Sequence, residues 1–158
     1  PQALPKEVKR LRLHLYPYFP ERFLPHGKDP EIRFNGVPAG MVARNAATWH
    51  VNHFRYAVEL PPELLNKSNT VEFTNPNHEF FLIRDCQLEA VDSAGVSHFS
   101  ALYPKVISAG NHRNIYMNFG LIHPECGILH SSLEYNVPDE LIEDFPIDEP
   151  VRIKLEYQ

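Results

Sequence analysis

The sequence predicts an all-β chain folded as a β-sandwich of about eight strands, with one or two single-turn helices at its corners. Three observations lead there. Apolar and polar residues alternate in segment after segment, the period of a strand with one buried face. Fifteen prolines against seven glycines are spread over 158 residues. Proline inside a helix removes a hydrogen bond and clashes with the preceding turn, so little room remains for long helices. Clusters of Pro, Asn, Asp and Gly divide the alternating runs at the spacing of a sandwich.

The strands follow in order. In RLRLHLY (10–16), Leu11, Leu13 and Leu15 fall on one face and Arg10, Arg12, His14 and Tyr16 on the other. In EIRFNGV (31–37), Ile32 and Phe34 alternate with Arg33 and Asn35, and Asn35–Gly36 signals a turn or bulge. HFRYAVEL (53–60) sets Phe54, Tyr56, Val58 and Leu60 against Arg55, Ala57 and Glu59, and TVEF (70–73) is a short version of the same pattern. In EFFLIRDCQLEAV (79–91), period two puts Leu82, Cys86, Leu88 and Ala90 on one face, with Phe81 and Ile83 opposite. A strand apolar on both faces at its start is expected to be central or covered. NIYMNFGLI (114–122), SLEYNV (132–137) and VRIKLEY (151–157) complete the set. PPELL (61–65) and PDELI (138–142) carry proline near a first-turn position with glutamate soon after, the signature of a short helical corner.

Composition narrows the function classes. With 43% hydrophobic and 22% charged residues the chain is built to bury a core, and nothing divides it, so residues 1–158 are expected to form one domain. It begins at Pro1 without methionine, and the expectation is a domain excised from a larger protein. A formal net charge of −5 argues against a nucleic-acid backbone binder. No apolar run approaches the roughly 20 residues that span a bilayer as a helix. KEVKRLR (6–12) is basic and DELIEDFPIDE (139–149) acidic, and both read first as solvated surface. Cys86 and Cys126 allow one disulfide without requiring it, and neither belongs to a CxxC pair.

LPPELLNKSNTVEF, followed after a short loop by FFLIRDCQLEAV, resembles the galactose-binding-like jelly-roll domains of the carbohydrate-binding-module type. The matching residues are Asn69, Thr70, Val71, Glu72 and Phe73, then Ile83, Asp85, Leu88, Glu89 and Val91. The resemblance spans residues 10 to 91, about half the chain, and 98–127 has no counterpart in it. It implies a jelly-roll type of sandwich and a non-catalytic module of a larger secreted, glycan-processing protein. The partners it implies are a polysaccharide or other glycan and a catalytic domain in the same chain.

Three clusters carry candidate chemistry. In TWHVNHF (48–54), strand parity carried back from Phe54 would bury His50 and Asn52, so a loop at the sandwich rim is the better reading. A loop tryptophan can stack on the apolar face of a pyranose while polar neighbours meet its hydroxyls. Trp49, His50, Asn52 and His53 are therefore expected to form one wall of a ligand site. The bland alternative has Trp49 plugging one end of the core. SAGNHRNIYMNF (108–119) offers a second wall in Asn111, His112, Arg113 and Tyr116, or else simply a turn entering a strand. Asn75-Pro76-Asn77 in FTNPNHEF (73–80) is first of all turn chemistry.

Metal and covalent chemistry are weakly signalled. His50 and His53 are spaced His-x-x-His and point apart on a strand, and His78–Glu79 is adjacent and not spaced as the His-x-Asp or His-x-Glu pair of an iron facial triad would be. A small metal-dependent, cupin-like enzyme stays as the second alternative, with its metal unknown. EDFPIDEP (143–150) could hold a structural calcium ion but lacks EF-hand spacing, and a solvated acidic loop is expected; no other cofactor is implied. No GxSxG elbow is present. The leading expectation is a secreted, non-catalytic carbohydrate-binding module. The first alternative is a structural or protein–protein interaction sandwich domain of a larger assembly, which would expose an apolar patch.

Overall fold

A computed structural model describes residues 1–20, 27–44, 56–123, 125 and 127–158, with the backbone alone described over 116–123 and 127–133. Among these residues lie twelve strands and two single-turn 3-10 helices. One sheet joins β1 (Val8–Tyr18), β4 (Tyr56–Leu60), β6 (Phe81–Asp92), β7 (Ser97–Phe99), β8 (Val106–Ala109) and β11 (Ile142–Phe145). Its order is β11-β8-β6-β1-β4, with β7 also paired to β6. The second sheet has the order β12-β5-β2-β3, from β2 (Glu31–Phe34), β3 (Val37–Met41), β5 (Ser68–Phe73) and β12 (Val151–Glu156). A two-stranded ribbon of β9 (Asn114–His123) and β10 (Gly127–Asn136) forms a third. The expected all-β sandwich is observed, and no helix of the described residues is long and apolar enough to cross a membrane.

The alternation seen in the sequence is what fills the core. Leu11, Leu13 and Leu15 of β1 and Val151, Ile153 and Leu155 of β12 are all 3% exposed or less, and they meet between the two large sheets. Burying each such side chain is worth about 1.5–3 kcal/mol, which is why strand parity is so strongly held. Asn35 (φ +50) and Gly36 (φ +82) take the two left-handed positions of a tight hairpin between β2 and β3. The expected helical corners are Pro62–Leu64 and Asp139–Leu141.

Asn69, in the N-T-V-E-F run, proves structural. It is 1% exposed; its Nδ2 donates to the carbonyls of Asn66 (2.7 Å) and Leu155 (3.3 Å). Its Oδ1 accepts from Asn66 N–H (2.8 Å) and Asn35 Nδ2 (3.0 Å). A buried amide with all its groups engaged fixes the turn before β5.

The face assignment in β6 needs correction. Phe81 and Ile83 share the main core with Cys86, Leu88 and Ala90, while Leu82 joins a second cluster with Tyr18, Ile115, Val137 and Ile142. The cause is a β-bulge. His14 pairs with Gln87 but Tyr16 pairs with Arg84, so two residues of β6 oppose the single Leu15. Asp85 sits in the bulge at φ +55. One extra residue reverses the parity beyond it. The strand is central, as its double apolar pattern implied: β1 lies on one side and β8 and β7 on the other.

Candidate functional site: the loop rim

One end of the sandwich is tied together by a buried ion pair. Arg44 follows β3 and Glu79 precedes β6, and each is 4% exposed. Arg44 donates through Nη2 (2.7 Å) and Nε (3.2 Å) to Glu79 Oε1. The other carboxylate oxygen accepts from Asn77 Nδ2 at 2.7 Å. Asn77 also bonds both backbone groups of Lys28, and the Arg44 N–H donates to Asp29 Oδ1 at 3.1 Å. Asn75 Nδ2 donates to the Glu79 carbonyl (2.9 Å) and to the Ile147 carbonyl (2.8 Å). The Arg44 guanidinium lies 5.8 Å from the Phe19 ring centre. These contacts clamp five segments together: the end of β1, the approach to β2, the exit from β3, the β5–β6 loop and the β11–β12 loop.

The turn after β8 joins the same end. Gly110 (φ +78) and Asn111 (φ +60) are consecutive left-handed residues. A Cβ on Gly110 would stand 2.6 Å from Phe80 Cδ1 and 3.1 Å from Ile147 Cδ1. Glycine is thus required both by conformation and by the ring packed on it. The His112 ring stacks at 6.3 Å from Tyr18 and tilts at 5.9 Å from Phe80. The His112 backbone N–H donates to Ser108 Oγ at 2.7 Å, which anchors the turn to β8. Burial holds the imidazole below its ordinary pKa, and its buried Nε2 has no hydrogen-bond partner among the described residues.

The expected site residues divide into four groups. Asn111 and His112 lie on this rim, the first exposed and the second packed between rings. Arg113 is committed elsewhere. It grips Asp144 of β11 with both Nη atoms (2.7 and 2.8 Å) and Asp139 through Nε at 2.8 Å. Those bonds outweigh the opposing effect of burial, raising the Arg113 pKa further and depressing that of Asp144. Tyr116 stands in β9 opposite Glu134. Trp49, His50, Asn52 and His53 lie outside the described residues. The described residues flanking them are near one another: the Tyr56 hydroxyl donates to the Met41 carbonyl and accepts from the Ala43 N–H, both at 3.4 Å, and Arg44 follows at the rim.

Sequence reasoning missed Phe80. The ring is 47% exposed while Phe81 is fully buried. Two adjacent aromatics on a strand point to opposite faces, so the Phe-Phe step already implied one outward ring. His78 (φ +48) and Lys28 are exposed on the same rim. Phe80, His78 and Lys28 thus expose a ring, an imidazole and an ammonium group on loops that the clamp ties together, chemistry suited to stacking and hydrogen bonding. No group of three His, Cys, Asp or Glu residues converges among the described residues. No protein-family model, curated protein or solved structure matches this chain.

Proposed function

We propose that this domain is a non-catalytic carbohydrate-binding module that seats a glycan on the loop rim. Phe80 carries the reading: a half-exposed ring, backed by Gly110 and propped by His112. A pyranose presents an apolar face to such a ring, and Asn111, His78 and Lys28 supply groups for its hydroxyls. The segment holding Trp49, His50, Asn52 and His53 leaves the described chain at Arg44, so its residues are proposed as the second wall. Arg113 holds the turn that presents Asn111. As an accessory domain of a secreted glycan-active protein, the module would bring its partner to the polysaccharide.

Titration calorimetry against plant, algal and host glycans tests the reading. Saturable binding by the wild type, lost at least tenfold in both Phe80→Ala and Trp49→Ala, supports it. Phe80 is half-exposed, so its truncation leaves the fold intact. Absence of binding to every glycan, or equal binding by both variants, removes the proposal.

A further inference from the structure

The β9–β10 ribbon is a sheet of its own, and among the described residues it hydrogen-bonds to neither large sheet. Its pairing runs without a register shift from Asn114 opposite Asn136 to His123 opposite Gly127. Parity is therefore kept along both strands, and alternate residue pairs share a face. One face takes Ile115, Met117, Phe119 and Leu121 from β9, with Tyr135, Leu133, Ser131 and Leu129 of β10 opposite them. All of these but Ser131 are large aliphatic or aromatic residues, and none is charged. The other face is mainly polar: Asn114, Asn118, His130, Ser132, Glu134 and Asn136 lie on it, with Tyr116 near the base and Ile122 opposite Ile128 at the tip.

At the base of the ribbon this face parts from the chain's own core. Ile115 is 4% exposed and belongs to the small cluster with Tyr18, Leu82, Val137 and Ile142. Tyr135, its direct partner across the ribbon, is 45% exposed. A two-stranded ribbon alone in water is marginally stable, and further strands or a packed surface are what hold one. A ribbon about 30 Å long with one uncharged apolar face is therefore built to be covered.

We propose that two copies of this chain dimerise through the apolar faces of their β9–β10 ribbons, packed sheet on sheet about a two-fold axis. An uncharged face gains nothing from a charged partner, and its own image is uncharged along the same length. The area agrees. Phe119 and Tyr135 bury about 150–250 Å² each when covered. Met117, Leu121, Leu129 and Leu133 bury about 60–120 Å² each, the area that corresponds to full burial of such a side chain. Each copy's share is then roughly 550–1,000 Å², which brackets the ~800 Å² per partner of a stable interface. The two ribbons become a four-stranded sandwich between the domains, so neither has to stand alone.

Sedimentation equilibrium from about 1 to about 100 μM tests the proposal, beside amide hydrogen exchange of the wild type over the same range. A monomer–dimer equilibrium is expected, with protection of the β9 and β10 amides following the dimer fraction while that of β1 and β6 stays constant. Phe119→Lys, which puts a charge on the apolar face, should weaken the dimer about a hundredfold or more. Asn118→Lys, one residue away on the other face, should leave it within about twofold. A monomer throughout, ribbon protection that does not follow the dimer fraction, or equal sensitivity to the two variants overturns the proposal. So does a Phe119→Lys chain that loses cooperative unfolding where the wild type is a folded monomer, since the face then belongs to the chain's own core.

Discussion

Arg44 and Glu79 meet at 2.7 Å beneath the rim, with side chains only 3% and 2% exposed. Two buried charges are tolerated here because each is also hydrogen-bonded or ring-packed: Asn77 serves Glu79, and Phe19 lies beside Arg44. Removing one partner strands the other charge in the interior, so Glu79→Ala is expected to cost about 3–5 kcal/mol. The double variant Arg44→Met, Glu79→Leu should recover most of that loss, because well-packed apolar replacements are often neutral. Urea unfolding checks both; a single variant within about 1 kcal/mol of wild type would show the clamp to be dispensable.

Gly110→Ala should destabilise the fold by about 1–2 kcal/mol, through a left-handed backbone that alanine resists. The new Cβ also forces the half-exposed Phe80 ring to move. Thermal unfolding measures the first effect, and calorimetry with any glycan bound by the wild type measures the second. Loss of stability with unchanged affinity would separate Phe80 from the binding surface.

Stability should fall on acidification in two stages. Burial lowers the folded-state pKa of His112 below 6.5, so between the folded and unfolded values the unfolded chain binds more protons. Its contribution is full above pH 6.5 and is lost as pH falls below it. Asp144 is depressed below 3.8, chiefly by its bonds from Arg113, and its contribution disappears as pH falls through that lowered value. Replacing His112 by Phe should flatten the first stage and leave the second. Denaturant midpoints across this range read the difference, and an unchanged slope below pH 6.5 would contradict it.

The Cys86 thiol should be inert in the folded protein. It is 1% exposed, and burial, aided by the Asp85 charge, pushes its pKa far up, so almost no thiolate exists at neutral pH. In a Cys126→Ser background, a thiol reagent should react at the unfolding rate and rapidly only in denaturant. Fast labelling of the native protein would place Cys86 outside the core.

Period-two alternation was enough to read eight of the twelve strands, because burying one face of a strand is the largest favourable term and every residue on that face contributes to it. The other four, β3 (VPAGM), β7 (SHF), β8 (VISA) and β11 (IEDF), carry no sustained alternation and were not read. Leu11, Leu13 and Leu15, or Val151, Ile153 and Leu155, could hardly be arranged otherwise. Asn35–Gly36 and the two proline-led corners were equally legible, since their conformations are demanded by local chemistry. Alternation failed at Asp85, where nothing local marks an extra residue. The bulge exists because β1 and β6 both have apolar sets to bury in one core, and a register shift lets Phe81 and Ile83 join Leu88 there.

The sites lay further beyond reach. Arg113 has the same chemistry in sequence whether it faces a ligand or Asp144; only the placement of β11 beside β8 brings two carboxylates to it. Phe80 and Gly110 are 30 positions apart, and Arg44 and Glu79 are 35. Sequence by itself determined most of the elements of this protein, because the energetics of the longer strands are local and repeat along them. The tertiary structure decided what those elements present, because rim, clamp and bulge are built from residues that meet only when loops and sheets converge.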